Sequence, residues 1–213
     1  LAKLDPEAIA QVSQDAWPLI RDADELHDAL LSLGIVFADE STAWNHEFQQ
    51  LVKAGRAAEV TLPVGWDSSP VRPLNCLVSD GTGVPSYKRG WIAAERWPLV
   101  QAVYPGISAK PVPQLPPSLQ KEWEPAAGRL ELVRGRILTS GPTTARDIAQ
   151  RLLLGESQVE ASLESLEGSG VVMRGKFSDG TGAPSHDERA TQWCERRLLA
   201  RIHRLTLDGL RQK

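Results

Sequence analysis

The chain has 213 residues, of which 41% are hydrophobic, and a formal net charge of −3 at pH 7. This length fits one large core or two modest ones, because domains commonly contain about 100 to 150 residues. Residues 1–120 carry nine basic and fourteen acidic side chains, whereas residues 121–213 carry fifteen and thirteen. Neither half is basic enough to predict nucleic-acid binding from net charge, so that function would depend on local patches, above all in the second half.

The cysteines and the hydropathy pattern indicate the compartment. Cys76 and Cys194 are the only cysteines, and neither belongs to a CxxC or Cys/His cluster, which favours a reducing compartment and argues against structural zinc. The sequence shows no signal peptide and no apolar run of about 18 residues. We therefore expect a soluble, cytoplasmic protein without a membrane partner. Because the sequence starts at Leu1 and stops within a helical pattern, we also expect it to be part of a longer chain.

The first predicted unit covers residues 1–103. Its helices are indicated by a terminating glycine and a capping threonine, and its strands by β-branched residues beside a turn signal. In chain order these elements are a helix over DADELHDALLSLG (22–34), a helix over 43–55 capped by Thr42, a strand at AAEVTLPV (57–64), a long excursion over 66–90, and a returning strand at GWIAAE (90–95).

A proline-rich stretch separates the two predicted units. YPGISAKPVPQLPPSLQ (104–120) holds five of the fifteen prolines and has no apolar periodicity. Such composition is typical of an extended connection, so we predict a linker over 104–122.

The second predicted unit covers residues 123–213. It should begin with a helix over 128–141, continue with two capped helices, and end with a strand and a long basic helix. The capping pairs are Thr144 with Asp147, ahead of ARDIAQRLL, and Ser157 with Glu160, ahead of VEASLESLE; the strand is VVMRGKF (171–177).

Two nine-residue stretches nearly repeat each other. SDGTGVPSY (79–87) and SDGTGAPSH (178–186) differ at two positions and lie 99 positions apart. Asp-Gly is a turn signal, since Gly tolerates a positive φ, and each copy follows a predicted strand. We expect both to form the hairpin tip of a winged helix. The sequence therefore predicts an α+β, helix-rich chain with tandem winged-helix-like units, joined by the Pro-rich linker and ending in a long basic helix.

Two helicase-like strings lack the context that their chemistry needs. Residues 24–27 read DELH but open a polar helix, and residues 170–176 read GVVMRGK, yet Phe177 follows where a phosphate loop has Ser or Thr and a helix. The four histidines are scattered, and His46-Glu47 has no second His at metalloprotease spacing. We expect no catalytic residue, no metal site and no cofactor in this chain, and thus no enzyme activity of its own.

Local cationic patches are the candidate DNA-binding residues. The helix over 157–167 is acidic, which argues against a groove-reading role, whereas both hairpins and the last helix carry cations. At about 100° per residue the last helix places its arginines on one face and Leu198, Leu199, Ile202, Leu205 and Leu210 on the other. The candidate residues are Lys88, Arg89 and Trp91 at the first hairpin, Arg174 and Lys176 at the second, and Arg197, Arg201 and Arg204 on the last helix.

Three segments resemble a known family. WPLIRDADELHDALLSLG (17–34), WIAAER (91–96) and WCERRLLARIHRLTLDGLR (193–211) are similar to the large helicase-related proteins, Lhr, of bacteria. These are superfamily-two DNA helicases with two RecA-like lobes, a winged helix and a further domain that completes the DNA channel. The long excursion over 66–90 departs from the family pattern.

The resemblance implies a non-catalytic accessory domain. The parent protein would use ATP and Mg to move 3′ to 5′ on single-stranded DNA in DNA repair, in the bacterial cytoplasm at the nucleoid. This chain would help to form the single-stranded DNA channel, with single-stranded or tailed duplex DNA and the RecA-like lobes as partners. The resemblance also implies a tryptophan that stacks on the tracking strand, which we assign to Trp91.

Two other functions remain open on sequence alone. A winged-helix module for binding proteins would suit the acidic helix. A tandem resembling a group of winged-helix DNA glycosylases is the third reading, although no catalytic carboxylate stands out for it.

Overall fold

Helices outnumber strands in the computed structural model, which describes residues 4–63, 87–177 and 191–211. Within these ranges the chain is α+β and helix-rich, as expected. The elements are α1 (Pro6–Ala16), α2 (Ala23–Leu33), β1 (Val36–Phe37), α3 (Asn45–Lys53), β2 (Ala57–Pro63), β3 (Tyr87–Ala93), α4 (Trp97–Val103), β4 (Ser108–Lys110), α5 (Pro125–Leu138), β5 (Thr143–Thr144), α6 (Ala145–Leu152), α7 (Glu156–Gly168), β6 (Val172–Gly175), β7 (Gln192–Glu195) and α8 (Arg196–Arg211).

The chain divides into two compact units. The terminal unit comprises Leu1–Pro18 and Val133–Lys213, and the middle unit comprises Leu19–Leu132. The predicted boundaries, 1–103 and 123–213 with a linker over 104–122, differ from this division in two respects. Helix α1 packs on α8 and so belongs with the second half of the sequence. Residues 108–110 of the predicted linker form β4, which pairs with β2.

The middle unit is built on an antiparallel sheet with strand order β1-β3-β2-β4. Trp91 on β3 lies opposite Val36 on β1 and Glu59 on β2. Val60 and Ile92 are buried, so one face of the sheet belongs to the core of this unit. Helix α2 precedes the sheet, and its first turn is capped by the side chain of Asp22, which accepts a hydrogen bond from the backbone of Glu25.

Gly34 ends α2, as the sequence predicts. Its φ of +77° lies in the left-handed region, and a Cβ at this position would collide with the Leu132 side chain. The next predicted cap is wrong, since Thr42 begins a one-turn 3-10 helix over Thr42–Trp44 and α3 follows with Trp44 as its N-cap and no side-chain capping bond.

The terminal unit has a three-stranded antiparallel sheet with order β5-β7-β6. The capping box at α6 is confirmed, because the Thr144 hydroxyl accepts from the backbone of Asp147 and the Asp147 carboxylate accepts from the backbone of Thr144. The predicted box at Ser157 is wrong. Helix α7 begins two residues earlier, after Gly155, which places Ser157 in the first turn.

Helices α1 and α8 share an apolar cluster in the terminal unit. Ala8 and Val12 of α1 pack with Cys194 and Ile202, and Leu198, Leu199 and Leu205 border this cluster. These residues confirm the predicted apolar face of α8. Leu210 does not belong to it, because its side chain is 60% exposed in the last turn.

Several predictions fall outside the described residues. The Asp80-Gly81 and Asp179-Gly180 tips and most of the excursion over 66–90 lie there. The strands that flank the first tip are β2 and β3, and those that flank the second are β6 and β7.

In the parts of the chain that the structure describes, no helix is both long enough and apolar enough to cross a membrane.

Candidate nucleic-acid interface

Helix α8 presents an exposed row of arginines. Sixteen residues give this helix a length of about 24 Å. The residues turned away from the apolar cluster include Arg196, which the sequence analysis did not single out. We call the exposed set Arg196, Arg197, Arg201, Arg204 and Arg211 the arginine face.

Two members of the arginine face are engaged in ion pairs. Nη2 of Arg201 donates to Oδ2 of Asp15 on α1, so Arg201 joins the two helices of the apolar cluster and is less available to a ligand than predicted. Nη1 of Arg211 lies 3.5 Å from Oδ1 of Asp208. No described residue forms an ion pair with Arg197 or Arg204, and both side chains are exposed. These two arginines are therefore the strongest candidates for binding an anion.

The start of α8 is fixed by the end of β7. Glu195 is buried, and its Oε2 accepts a hydrogen bond of 2.8 Å from the backbone of Leu198, which satisfies one free N–H in the first turn. The neighbouring Cys194 is also buried, and burial, aided by Glu195, raises the pKa of its thiol to about 12. Cys194 is thus a core residue without thiolate reactivity at neutral pH.

Trp91 is not available to stack on a base. Its side chain is 6% exposed, and its ring stacks on Phe48 of α3 with centroids 4.1 Å apart and an interplanar angle of 5°. The assignment of Trp91 as a DNA-stacking residue is therefore wrong. The pattern of β3 did not show this, because the partner ring comes from a different element.

The other two residues of the first hairpin differ in availability. Nζ of Lys88 lies 3.4 Å from Asp39 and 4.5 Å from the centroid of the Phe37 ring, so this ammonium group is already paired. The Arg89 side chain is 65% exposed, and its ion pair with Glu59 is long, at 3.8 Å. Only Arg89 could reach a phosphate without first giving up a close partner.

The second hairpin shows a similar division. Nε of Arg174 lies 3.3 Å from Oε1 of Glu167 on α7. Lys176 follows the end of β6 and is exposed, with no ion pair to a described residue. The structure therefore leaves Lys176, rather than Arg174, open to solvent anions.

Helix α7 exposes carboxylates. Glu160 and Glu164 are exposed, and Glu156 lies 3.9 Å from Arg146. Because this surface would repel phosphates, the prediction that α7 is not a groove-reading helix fits its exposed residues.

Helix α3 exposes a polar row that the sequence analysis overlooked. Phe48 and Leu51 are buried, and the exposed side chains are those of Asn45, His46, Gln49, Gln50 and Lys53, which we call the amide row. Nε2 of Gln50 lies 2.9 Å from Nε2 of His46. The signal was present in the sequence, since polar residues recur at helical spacing on the side opposite Phe48 and Leu51.

The DELH string has a structural role in the middle unit. Asp24 pairs with Arg56 at 2.5 Å, and this hydrogen bond holds the pKa of Asp24 below its usual value. Glu25 is held by Arg21 in the same way. His27 is buried, with its Nε2 3.2 Å from Oε2 of Glu95. Each of the three titratable side chains therefore has a local partner.

Among the described residues, no three His, Cys, Asp or Glu side chains are grouped so that they could hold a metal ion. Comparison with protein-family models, with curated proteins and with solved structures found no match to this chain.

Proposed function

We propose that this chain is a non-catalytic DNA-binding module whose arginine face holds the phosphate backbone of a single strand. The observation that carries the proposal is the pair Arg197 and Arg204, both exposed and without an ion pair to a described residue. They are seven residues apart, or about 10.5 Å along the helix axis, which is close to the span of three phosphates at about 3.4 Å per nucleotide.

We also propose that both units are winged helices. The strand orders β1-β3-β2 and β5-β7-β6 support this, because each places the second hairpin strand between the strand that follows the first helix and the first hairpin strand. In the terminal unit the order of elements is helix α5, strand β5, helices α6 and α7, then the hairpin of β6 and β7. Winged helices are a common scaffold for DNA binding, although a fold alone does not specify function.

The parent protein in this proposal is an ATP-dependent 3′ to 5′ DNA helicase similar to Lhr, active in DNA repair. That part depends on the resemblance of segments 17–34, 91–96 and 193–211. In such a protein the RecA-like lobes would bind ATP and Mg, and this chain would line part of the single-stranded DNA channel. Arg197 and Arg204 would then contribute electrostatic attraction without base preference.

Fluorescence anisotropy with a labelled single-stranded 20-mer tests the arginine face. We expect Arg204→Glu, and more strongly Arg197→Glu with Arg204→Glu, to weaken binding for every sequence and to reduce the slope of log K against log salt by roughly 0.7 for each lost phosphate contact. Arg201 is a poor choice for this test, because charge reversal there also breaks the pair with Asp15.

Arg151→Glu is the matched control, since it makes the same charge change at an exposed position of α6 in the same unit. If the control weakens binding as much as Arg204→Glu, net charge rather than the arginine face governs affinity. If the double variant binds with unchanged affinity and salt slope, the proposal is wrong.

The exposed carboxylates of α7 favour a second candidate function, a module that binds a basic protein. Glu160 and Glu164 would suit a partner rich in Lys or Arg. Variants with Gln at both positions should then lose the partner while single-stranded DNA binding is retained.

A further inference from the structure

The amide row of α3 is a second exposed surface whose chemistry differs from that of the arginine face. We propose that α3 lies in the major groove of duplex DNA and that Gln49 and Gln50 contact adenine edges. This inference rests on the proposed winged-helix character of the middle unit, in which α3 is the helix that directly precedes the hairpin of β2 and β3.

The dimensions of α3 suit a groove. Its nine residues give an axial length of about 13.5 Å, comparable with the major-groove width of about 12 Å. Asn45, Gln49 and Lys53 follow one another at intervals of four residues, and His46 and Gln50 form a neighbouring row. Phe48 faces the opposite side and anchors the helix by stacking on Trp91 of β3. The exposed row is thus presented from a fixed support.

The side chains of the amide row match the base edges of adenine. An Asn or Gln amide can donate to N7 and accept from the N6 amino group of one base, which is the common bidentate contact to adenine. Gln50 is held 2.9 Å from His46 within its row, so part of its orientation is set before any ligand arrives. Lys53, at the last turn, would reach a guanine edge or a phosphate.

The charge distribution agrees with a nucleic-acid ligand. None of the five members of the amide row is acidic, and the single carboxylate of α3, Glu47, is half-buried. Arg89, on the hairpin strand of the same unit, adds a cation that is 65% exposed. A protein partner would instead be expected to need apolar or aromatic anchors, and the row has none.

Selection from duplex DNA tests the proposal directly. The full chain is incubated with a 40-bp duplex library randomised over its central 12 bp, and bound duplexes are amplified and sequenced over several rounds. We expect an enriched motif that contains adenines. The variant Gln49→Ala with Gln50→Ala should relax selection at those adenines and bind the enriched duplex about 5- to 150-fold more weakly. It should bind a labelled single-stranded 20-mer as the unchanged protein does.

Gln101→Ala is the matched control, because it removes an exposed amide from α4 of the same unit. Ala favours helices, so the substitutions on α3 should leave folding intact, which circular dichroism verifies. An unenriched pool, or the same motif selected by the double variant, overturns the proposal for α3.

Failure of the proposed single-strand function gives a different result. In that case Arg197→Glu with Arg204→Glu leaves single-strand affinity unchanged, whatever the duplex selection shows. Loss of duplex binding by the α3 variant together with equal loss of single-strand binding also overturns the inference, since it indicates a general defect rather than base contacts.

Discussion

Helices α3 and α7 occupy the same place in their units, directly before the two strands of a hairpin, yet they expose opposite chemistry. The exposed side of α3 carries amides, an imidazole and Lys53, whereas that of α7 carries Glu160 and Glu164. The buried sides are alike, with Phe48 and Leu51 in α3 and Val159, Leu163 and Leu166 in α7. A shared arrangement of elements therefore fixes the inward residues and leaves the outward residues free to differ in function.

The returning strands make the complementary point, because here the two units agree. Trp91 on β3 and Trp193 on β7 are each buried, and each lies on the central strand of its three-strand set. Trp193 stands opposite Thr143 and Arg174, as Trp91 stands opposite Val36 and Glu59. A tryptophan at this position serves the core in both units.

The largest predicted effect tests this equivalence. Trp91→Ala and Trp193→Ala should each lower the free energy of unfolding by about 3 to 5 kcal/mol, because each removes a buried ring. Urea denaturation followed by circular dichroism measures the loss. DNA affinity per folded molecule should stay constant, and a selective loss of single-stranded DNA binding by Trp91→Ala, with stability unchanged, would restore the stacking role.

A smaller effect should separate the ways in which the two units begin their helices. Thr144→Ala removes the capping box of α6 and should destabilise the protein by about 1 kcal/mol. Thr42→Ala, at the start of the 3-10 turn before α3, should change stability by less than about 0.5 kcal/mol, since Thr42 caps no helix. Equal losses in thermal and urea denaturation would show that the two sites are capped alike.

The smallest predicted effect concerns the acidic surface of α7. A unit charge about 7 Å from a phosphate contributes roughly 0.6 kcal/mol in water, so Glu160→Gln and Glu164→Gln should each tighten duplex binding by up to about threefold at low salt. Anisotropy titrations at two ionic strengths measure this gain, which should shrink as salt rises. Unchanged affinity at low salt would mean that the carboxylates of α7 do not account for the difference between the helices.

Local signals predicted local structure well. The Thr144 and Asp147 pair marked the start of α6, and Gly34 marked the end of α2, because each depends on neighbouring residues alone. The apolar side of α8 followed from helical spacing, except at Leu210 in the last turn. The start of α7 was missed because two serviceable starts, Gly155 and Ser157, lie two residues apart.

Long-range contacts were beyond the sequence pattern. The pairing of α1 with α8, the addition of β4 to β2 and the stack of Trp91 on Phe48 each join segments that no periodicity links. The candidate site was predictable in part. Arg197 and Arg204 are exposed as the spacing indicates, but the Asp15 partner of Arg201 lies 186 residues away.

The division of the terminal unit between both ends of the sequence has a consequence during protein synthesis. Helix α1 leaves the ribosome early, but Ile202 of α8, on which Val12 packs, is made 190 residues later. At about 5 to 20 residues per second this interval lasts roughly 10 to 40 s. The middle unit can close within that time, because residues 19–132 are contiguous. The nascent chain therefore carries the unpaired apolar side of α1 throughout translation, and that side is where a ribosome-associated chaperone would engage it.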